Sequence, residues 1–423
     1  MAPVLLLLFL LLVAGGSAVP FARAEGPSVV ASVTVGAAPD GVAYDPSNGH
    51  VYVSDAGSDT VSVIADGSNA VIRNISVGSR PDGIAYDPDK GELFIANGGS
   101  NSVSVISDRD DEVVETVTGP GTAQATSIVY DAAMGEVFVS NGQTGNVSAI
   151  SDSTYRVAAS EAEGIAGSDM AYDPARGEVF VSGSASNFVA VLSDSTDRLV
   201  ATIPVGYHAY GIAYDPARGE VFVANAAANV VEVISDSTDR VVANVTVFSS
   251  PTGVVYDPDR GEVYVGNDGS NTVAVISDAN DSVVATLDAG ASPTSMAYDA
   301  GRGETFVADT GAPSSTAPGT VTVISDGSTP STLTASSIGP GSVTGSSTSF
   351  PPTTTTTTSS SPASTASAPA GASSISLAGT SSSLPWTYVA VLTVDAALLA
   401  VLASLSMVRR RRPGREERSK EGG

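Results

Sequence analysis

The chain of 423 residues offers few side chains for catalysis or for binding transition metals. It has no cysteine and only two histidines, His50 and His208. Disulfides, thiolate sites and histidine-rich zinc sites are therefore excluded. The 45 acidic residues outnumber the 19 basic ones, which gives a net charge of −26. Such a charge disfavours binding to nucleic-acid phosphates, which requires basic surface.

Two acidic motifs recur along residues 28–327. The dipeptide Tyr-Asp begins at Tyr44, Tyr86, Tyr130, Tyr172, Tyr214, Tyr256 and Tyr298. Repeated carboxylates could bind cations, but their identity in every copy indicates that Asp caps a turn and Tyr packs between repeats. The Ser-Asp turns are interpreted as capped hairpins too. The most acidic of them, with Asp108, Asp110 and Asp111, could hold Ca²⁺ weakly, although none has the glycine and terminal glutamate of an EF-hand.

The spacing of Tyr-Asp is 42 residues, with one interval of 44, and it defines seven repeats. Each repeat predicts four short antiparallel strands separated by turns, for example at 211–215, 221–225, 230–234 and 240–247. A period in the forties with short strands is typical of a β-propeller. The sequence therefore predicts an all-β, seven-bladed propeller of four-stranded blades.

The two ends of the array indicate how the ring closes. The seventh repeat has three good strands, and its fourth is weak at residues 331–337. Residues 29–35 precede the first repeat and resemble the fourth strand at 241–247. We therefore expect the N-terminal strand 29–35 to complete blade seven, which closes the ring.

Functional groups are expected where the repeats differ, in the loops around the central channel. At the positions three and four residues before the Tyr of each Tyr-Asp pair, the only carboxylates are Asp40, Asp82 and Asp169. The fifth repeat has Tyr207, His208 and Tyr210 in the same loop. These six residues form a candidate rim that could attract a cation or stack on a flat ligand such as a sugar. Ordinary loop variation is the alternative, because no convergent acid–base pair is visible.

The exits of the second strands carry a family resemblance. They read Val51-Tyr-Val-Ser-Asp55, Leu93-Phe-Ile-Ala-Asn97, Val137-Phe-Val-Ser-Asn141, Val221-Phe-Val-Ala-Asn225 and Val263-Tyr-Val-Gly-Asn267. The array resembles the YVTN repeat of surface-layer-type seven-bladed propellers. It departs from that motif at Gly183 and Asp309. The resemblance implies an architecture and a cell-surface location, and little about chemistry.

The segments that flank the array predict secretion and anchoring. Residues 1–24 are typical of a signal peptide, with an uncleaved anchor as the alternative. Residues 328–384 predict a disordered Ser/Thr/Pro-rich stalk. Residues 385–408 predict a transmembrane helix, since the apolar run 386–408 would span roughly 34 Å. The tail 409–423 starts with four arginines, which places it in the cytoplasm.

Four Asn-x-Ser/Thr sequons mark possible glycosylation sites. They begin at Asn74, Asn146, Asn244 and Asn280. Asn74 and Asn244 fall on predicted fourth, outermost strands, where a glycan can be accommodated.

Two hypotheses of function follow. In the first, a membrane-anchored head binds glycans, envelope proteins or further copies of itself, without catalysis, cofactor or nucleic acid. In the second, the head is an extracellular hydrolase, lactonase or lyase with a cation such as Ca²⁺ in its channel. The second requires Asp40, Asp82 or Asp169 to bind metal and His208 or a tyrosine to transfer protons.

Overall fold

The structure, a computed structural model, describes residues 26–328 except 163, 165–166 and 312–315. The predicted signal peptide, stalk, membrane helix and tail lie outside these residues. Within the described part, no helix is long and apolar enough to cross a membrane.

The described residues form seven four-stranded antiparallel sheets, as predicted. The first fourteen strands are β1 Ser28–Ala37, β2 Pro39–Asp45, β3 His50–Asp55, β4 Thr60–Ala65, β5 Ala70–Ser76, β6 Pro81–Asp87, β7 Glu92–Asn97, β8 Ser102–Ser107, β9 Glu112–Thr118, β10 Ala125–Asp131, β11 Glu136–Asn141, β12 Asn146–Ser151, β13 Arg156–Ala162 and β14 Gly167–Asp173. The others are β15 Glu178–Gly183, β16 Phe188–Ser193, β17 Arg198–Pro204, β18 Ala209–Asp215, β19 Glu220–Asn225, β20 Val230–Ser235, β21 Arg240–Thr246, β22 Pro251–Asp257, β23 Glu262–Asn267, β24 Thr272–Ser277, β25 Ser282–Asp288, β26 Pro293–Asp299, β27 Glu304–Asp309 and β28 Pro318–Ser325.

Blade one is β2–β5, and each of blades two to six takes the next four strands in chain order. The longer interval of 44 residues is accommodated by a 3-10 helix, Pro120–Thr122, before blade three. A second 3-10 helix, Asp268–Ser270, joins β23 to β24.

Ring closure follows the prediction, with a strand longer than expected. Strand β1 pairs antiparallel with β28, so that blade seven has the order β1-β28-β27-β26. Val33 lies opposite Val321 and is 5% exposed, whereas Val30 on the same strand is 50% exposed. The alternation places one face of β1 in the core of blade seven and the other in solvent.

One aromatic residue per blade fills the space between neighbouring sheets. It stands in the second strand and is at most 1% exposed, at Tyr52, Phe94, Phe138, Phe180, Phe222, Tyr264 and Phe306. Phe222 of blade five, for example, packs with Val263 and Val265 of blade six. Large apolar rings at each boundary supply the burial that a single blade lacks.

The propeller has two chemically different faces. The entrance face carries the loops between blades and the turns from second to third strands, which are joined by bonds such as Ala56 N–H to Ala38 O, 2.9 Å. The acidic face carries the turns from first to second and from third to fourth strands, joined by bonds such as Asp108 N–H to Gly91 O, 2.9 Å. The Tyr-Asp and Ser-Asp motifs all lie on the acidic face.

The turn-capping role of Tyr-Asp is confirmed on this face. In blade two, Asp87 Oδ1 accepts the N–H groups of Asp89 at 2.9 Å and Lys90 at 3.2 Å. The tyrosine of each blade points to the Ser-Asp turn of the same blade, as in Tyr214 Oη to Asp236 Oδ2 at 3.1 Å. The repeated carboxylates are therefore first of all parts of the turn architecture.

The innermost strands approach one another closely at Gly253. A Cβ atom there would overlap the carbonyl oxygen of Thr294 in blade seven, and that carbonyl belongs to the backbone of the neighbouring strand. We expect Gly253→Ala to lower the free energy of unfolding by about 2–3 kcal/mol, because neither strand can move alone. Thermal unfolding would measure the change. Gly67→Ala is the control, since its Cβ would meet no atom within 4 Å, and equal effects of both variants would contradict the prediction.

Candidate functional site

The central channel is lined by the first strand of every blade, and these strands contact their neighbours around the ring. The residues that break the repeat lie at the entrance end of these strands or in the loops that lead to them. Asp40, Asp82 and Tyr210 occupy the second position of β2, β6 and β18, and Asp169 the third position of β14. The structure therefore places these four predicted residues at one end of the channel.

Asp40 and Asp82 form a carboxyl pair across the boundary between blades one and two. Their side chains are half-buried and lie close to each other. Desolvation raises the pKa values of both groups, and the charge of Asp40 raises the pKa of Asp82 further, while Arg80 lowers both pKa values. The protonated form is therefore favoured more at Asp82 than at Asp40.

Asp169 is tied into three blades by hydrogen bonds. Its Oδ1 accepts from Ser127 Oγ at 3.0 Å and from the N–H of Met170 at 2.9 Å. Its Oδ2 accepts from the N–H of Ile212 at 3.2 Å. Burial raises the pKa of Asp169 to about 6, and these donors limit the rise. The residue links the inner strands of blades three, four and five.

The three channel carboxylates also influence one another electrostatically. Asp40 raises the pKa of Asp169, and Asp169 raises that of Asp82. The sequence predicted these residues only as a possible rim of the channel. Among the described residues, however, no group of three or more Asp, Glu or His side chains is placed to hold a metal ion. The channel provides a pair of neighbouring carboxyl groups and one carboxylate held by hydrogen bonds.

The aromatic residues of blade five form a cluster at the same entrance. The rings of Tyr207 and His208 meet edge to face with centroids 4.5 Å apart, and those of His208 and Tyr210 are 6.1 Å apart. Tyr207 is 53% exposed. His208 has φ of 66°, and the matching loop positions, such as Ala38 and Ser250, are left-handed as well. The backbone at His208 therefore has the conformation found at the matching positions of other repeats, and only the side chain differs in blade five.

Sequence reasoning missed a set of buried polar residues behind the entrance loops. The last residue of the second strand, which is Asn or Asp in six blades, lies beneath the interblade loop that leads into its own blade, as Asn97 does beneath Gly78. Asn97 Nδ2 donates to Ser104 Oγ at 2.9 Å, and Asp309 Oδ2 accepts from Thr322 Oγ1 at 2.7 Å. Burial raises the pKa of both Asp55 and Asp309 to about 6. The sequence feature that could have identified these residues is the replacement of Asn by Asp at this position in blades one and seven.

The sequons lie in three kinds of environment. Asn74 and Asn244 are exposed on the outermost strands β5 and β21, where they were expected. Asn280 is exposed in a turn, and Asn146 is half-buried at the start of β12. The exposed side chains of Asn74 and Asn244 leave room for a glycan.

Comparison with known proteins shows the fold alone. No protein-family model matches the chain, and no curated protein matches its sequence. Many solved structures share its fold. One is hydrazine synthase from Kuenenia stuttgartiensis, with a TM-score of 0.60 and 16% identity over 68% of this chain and 95% of that chain. The chain is a seven-bladed β-propeller. At this identity, the similarity carries no information about the activity of the propeller.

Proposed function

We propose that the chain is a cell-surface binding protein, in which the propeller is the recognition head. The sequence supports a signal peptide, a stalk and a single membrane helix, which would hold the head outside the cell. The YVTN-like strand exits support a place among surface-layer-type propellers. In this proposal the head binds a glycan or an envelope protein at its entrance face, without turnover.

The aromatic cluster of the exposed Tyr207 with the half-buried His208 and Tyr210 carries the proposal. Aromatic rings at a channel mouth offer apolar surface for stacking, and tyrosine hydroxyls add hydrogen bonds. Asp40 and Asp82 lie on the same rim and can accept hydrogen bonds from ligand hydroxyl groups. Tyr207 is 53% exposed, and Phe248 in the loop that leads into blade six is 49% exposed.

An extracellular enzyme is the second candidate, and the pair Asp40–Asp82 favours it. Two neighbouring carboxyl groups of which one, Asp82, has its pKa raised further than the other have the form of an acid–base couple. The hydrogen bonds that restrain Asp169 weigh against a metal-dependent reaction, because they occupy the lone pairs that a cation would need.

Binding is tested with glycan arrays and pull-downs of envelope proteins by the full-length chain. We expect the double variant Tyr207→Ala/Tyr210→Ala to lose at least about tenfold in affinity, because truncation of aromatic anchors costs 1–2 kcal/mol or more. Met134→Ala, a variant of an exposed residue on the acidic face, is the control and should bind normally. Unchanged binding by the double variant would contradict the proposal. Turnover of a hydrolase, lactonase or lyase substrate that is lost in Asp82→Asn would favour the enzyme.

A further inference from the structure

Blade five departs from the other blades on the entrance face by carrying apolar residues at polar positions. In the turn between its second and third strands, Ala228 stands where blades one, two and six have Ser58, Ser100 and Ser270. Val230 begins its third strand, where the same blades have Thr60, Ser102 and Thr272. Hydroxyl groups at these positions form hydrogen bonds, such as Ser100 Oγ to Ser102 Oγ at 2.9 Å. The side chains of alanine and valine form none, so this part of blade five has lost its polar groups.

The loop that leads into blade six adds an exposed ring to the same region. Phe248 is 49% exposed, and its position in the loop is a glycine in other blades, at Gly36, Gly78, Gly206 and Gly290. Tyr207, in the loop that leads into blade five, is 53% exposed. Within the described loops and turns of the entrance face, these two are the large apolar side chains that are exposed.

The two rings lie on either side of the alanine turn, residues 226–229. On one side, the N–H of Ala226 donates to the carbonyl oxygen of His208 at 3.0 Å, directly after Tyr207. On the other, the N–H of Val247 donates to the carbonyl oxygen of Asn229 at 3.1 Å, directly before Phe248. The residues between these contacts are exposed as well. One apolar surface, the blade-five patch, therefore consists of Tyr207, Ala227, Ala228, Val230 and Phe248.

Glu232 holds the loop of Tyr207 against the third strand of blade five. Both of its carboxylate oxygens accept the N–H of Gly206, at 3.1 and 3.0 Å. A hydroxyl group has this role in other blades, as in Gly290 N–H to Thr322 Oγ1 at 3.1 Å. The ring of Tyr207 is therefore exposed from a loop that is anchored by hydrogen bonds, which favours a preformed binding surface.

The chemistry of the blade-five patch fits a protein segment better than a glycan. A glycan site requires polar groups that converge beside the rings, and the hydroxyl groups that other blades offer here are absent. Tyr207 and Phe248 each expose about 100 Å², roughly half of a large aromatic side chain. This area is far below the roughly 800 Å² that each partner buries in a stable interface. The patch therefore fits a short segment rather than a second copy of the propeller.

The charge around the patch indicates what flanks that segment. The entrance-face loops and turns of blades five and six, residues 205–209, 226–229, 247–250 and 268–271, contain no lysine or arginine. They contain Asp268, whose N–H donates to the carbonyl oxygen of Ser250 at 2.9 Å, beside the loop of Phe248. Glu232 adds a second carboxylate behind the alanine turn. A complementary partner carries basic residues, whereas residues 328–384 of this chain carry no charge.

We propose that the blade-five patch binds a short apolar segment of a partner protein, flanked by basic residues. Apolar side chains of the segment pack on Tyr207, the alanine turn and Phe248, and its basic side chains lie near Glu232 and Asp268. The inference rests on the proposed function, since Tyr207 belongs to both surfaces, and it specifies protein as the ligand of the recognition head.

Fluorescence anisotropy of labelled synthetic peptides with the full-length chain tests the proposal. The first peptide has a centre of leucine and phenylalanine with lysine flanks, the second has the same centre with glutamate flanks, and the third has a centre of serine and asparagine with lysine flanks. We expect the first to bind at least about tenfold more tightly than the others, because it alone matches both the apolar surface and the charge. Equal binding of the third peptide would overturn the proposal, because charge alone would then explain binding.

The variant Ala228→Ser/Val230→Thr/Phe248→Gly locates the binding surface. It introduces residues that other blades have at these positions, so it is expected to fold. It should bind the first peptide at least about tenfold more weakly than the wild type. Val242→Thr is the control, since Val242 is 56% exposed on the outermost strand of the same blade and lies outside the patch. Unchanged binding by the triple variant would show that the patch is not the site.

The same variants separate this proposal from the proposed function. The triple variant keeps Tyr207 and Tyr210, which the proposed function requires. If a glycan binds the wild type and the triple variant but not Tyr207→Ala/Tyr210→Ala, and no peptide binds, the head binds glycans and the inference of a protein segment is wrong. If glycans, envelope proteins and peptides all fail to bind, both proposals are wrong.

Discussion

Val33→Asp should open the ring and lower the free energy of unfolding by about 4 kcal/mol or more. Val33 lies on β1, is 5% exposed and packs in the cluster that contains Phe306 and Val323 of blade seven. A carboxylate at this position would be buried without a partner, which is among the most destabilising single changes. Because β1 is the strand that joins the two ends of the array, its release leaves β28 as an unpaired edge. Denaturant unfolding and limited proteolysis of the full-length chain would measure the loss.

Val30→Asp is the matched control for this prediction. The residue stands on the same strand with the same chemistry, yet it is 50% exposed and outside the core. We expect a change within about 0.5 kcal/mol and no new cleavage, as for most surface substitutions. Similar effects of the two variants would show that β1 does not pack into blade seven.

The propeller should become more stable as the pH falls from 7.5 to 5. Asp55, 0% exposed, and Asp309, 2% exposed, have pKa values raised to about 6 by burial, against 3.8 as the ordinary value. Between about pH 4 and 6 the folded chain therefore binds more protons than the unfolded chain. Stability then increases as the pH falls through this window and decreases as it rises. Each residue contributes up to about 2 kcal/mol, and Asp169, with its pKa of about 6, acts in the same direction.

Asp55→Asn/Asp309→Asn should remove the part of this pH dependence that these two residues contribute, and it should raise the Tm at pH 7.5. Blades two, three, five and six have asparagine at this position, so the amide fits the repeat. Thermal unfolding of the full-length chain between pH 4.5 and 8 would measure both effects. Asp288→Asn, at an exposed position, serves as the control for lost surface charge. If the double variant kept the pH dependence of the wild type, the assignment to these two residues would be wrong.

The architecture was predictable because a propeller is built from one short unit repeated. Tyr-Asp marks the end of the first strand in all seven repeats, and alternating valines mark the others. Even the closure by β1 followed from the likeness of residues 29–35 to 241–247, since strands in equivalent places meet equivalent neighbours. The prediction fell short at the ends of this strand, Ser28–Ala37, because pairing with β28 extends beyond its hydrophobic core.

The sequence identified candidate residues for the entrance site, but not the contacts among them. Departures from the repeat identified Asp40, Asp82 and Asp169, because loops at one end of a closed ring must lie near one another. The distribution of protons among these carboxylates, and the hydrogen bonds that hold Asp169, depend on partners from neighbouring blades. A linear repeat does not reveal contacts between blades in atomic detail.

On the acidic face, too, the sequence does not reveal the contacts between blades. The sequence indicates that every Tyr-Asp is a turn, and the structure confirms it through Oδ1. Only the packing of blades shows that this aspartate is fully buried and that Lys90 reaches Asp152 from the preceding blade. Sequence periodicity specifies what each blade contains, because it records local hydrogen bonds and side-chain faces. The charge balance between blades arises when the ring closes and water is excluded from the junctions, so it belongs to the tertiary structure.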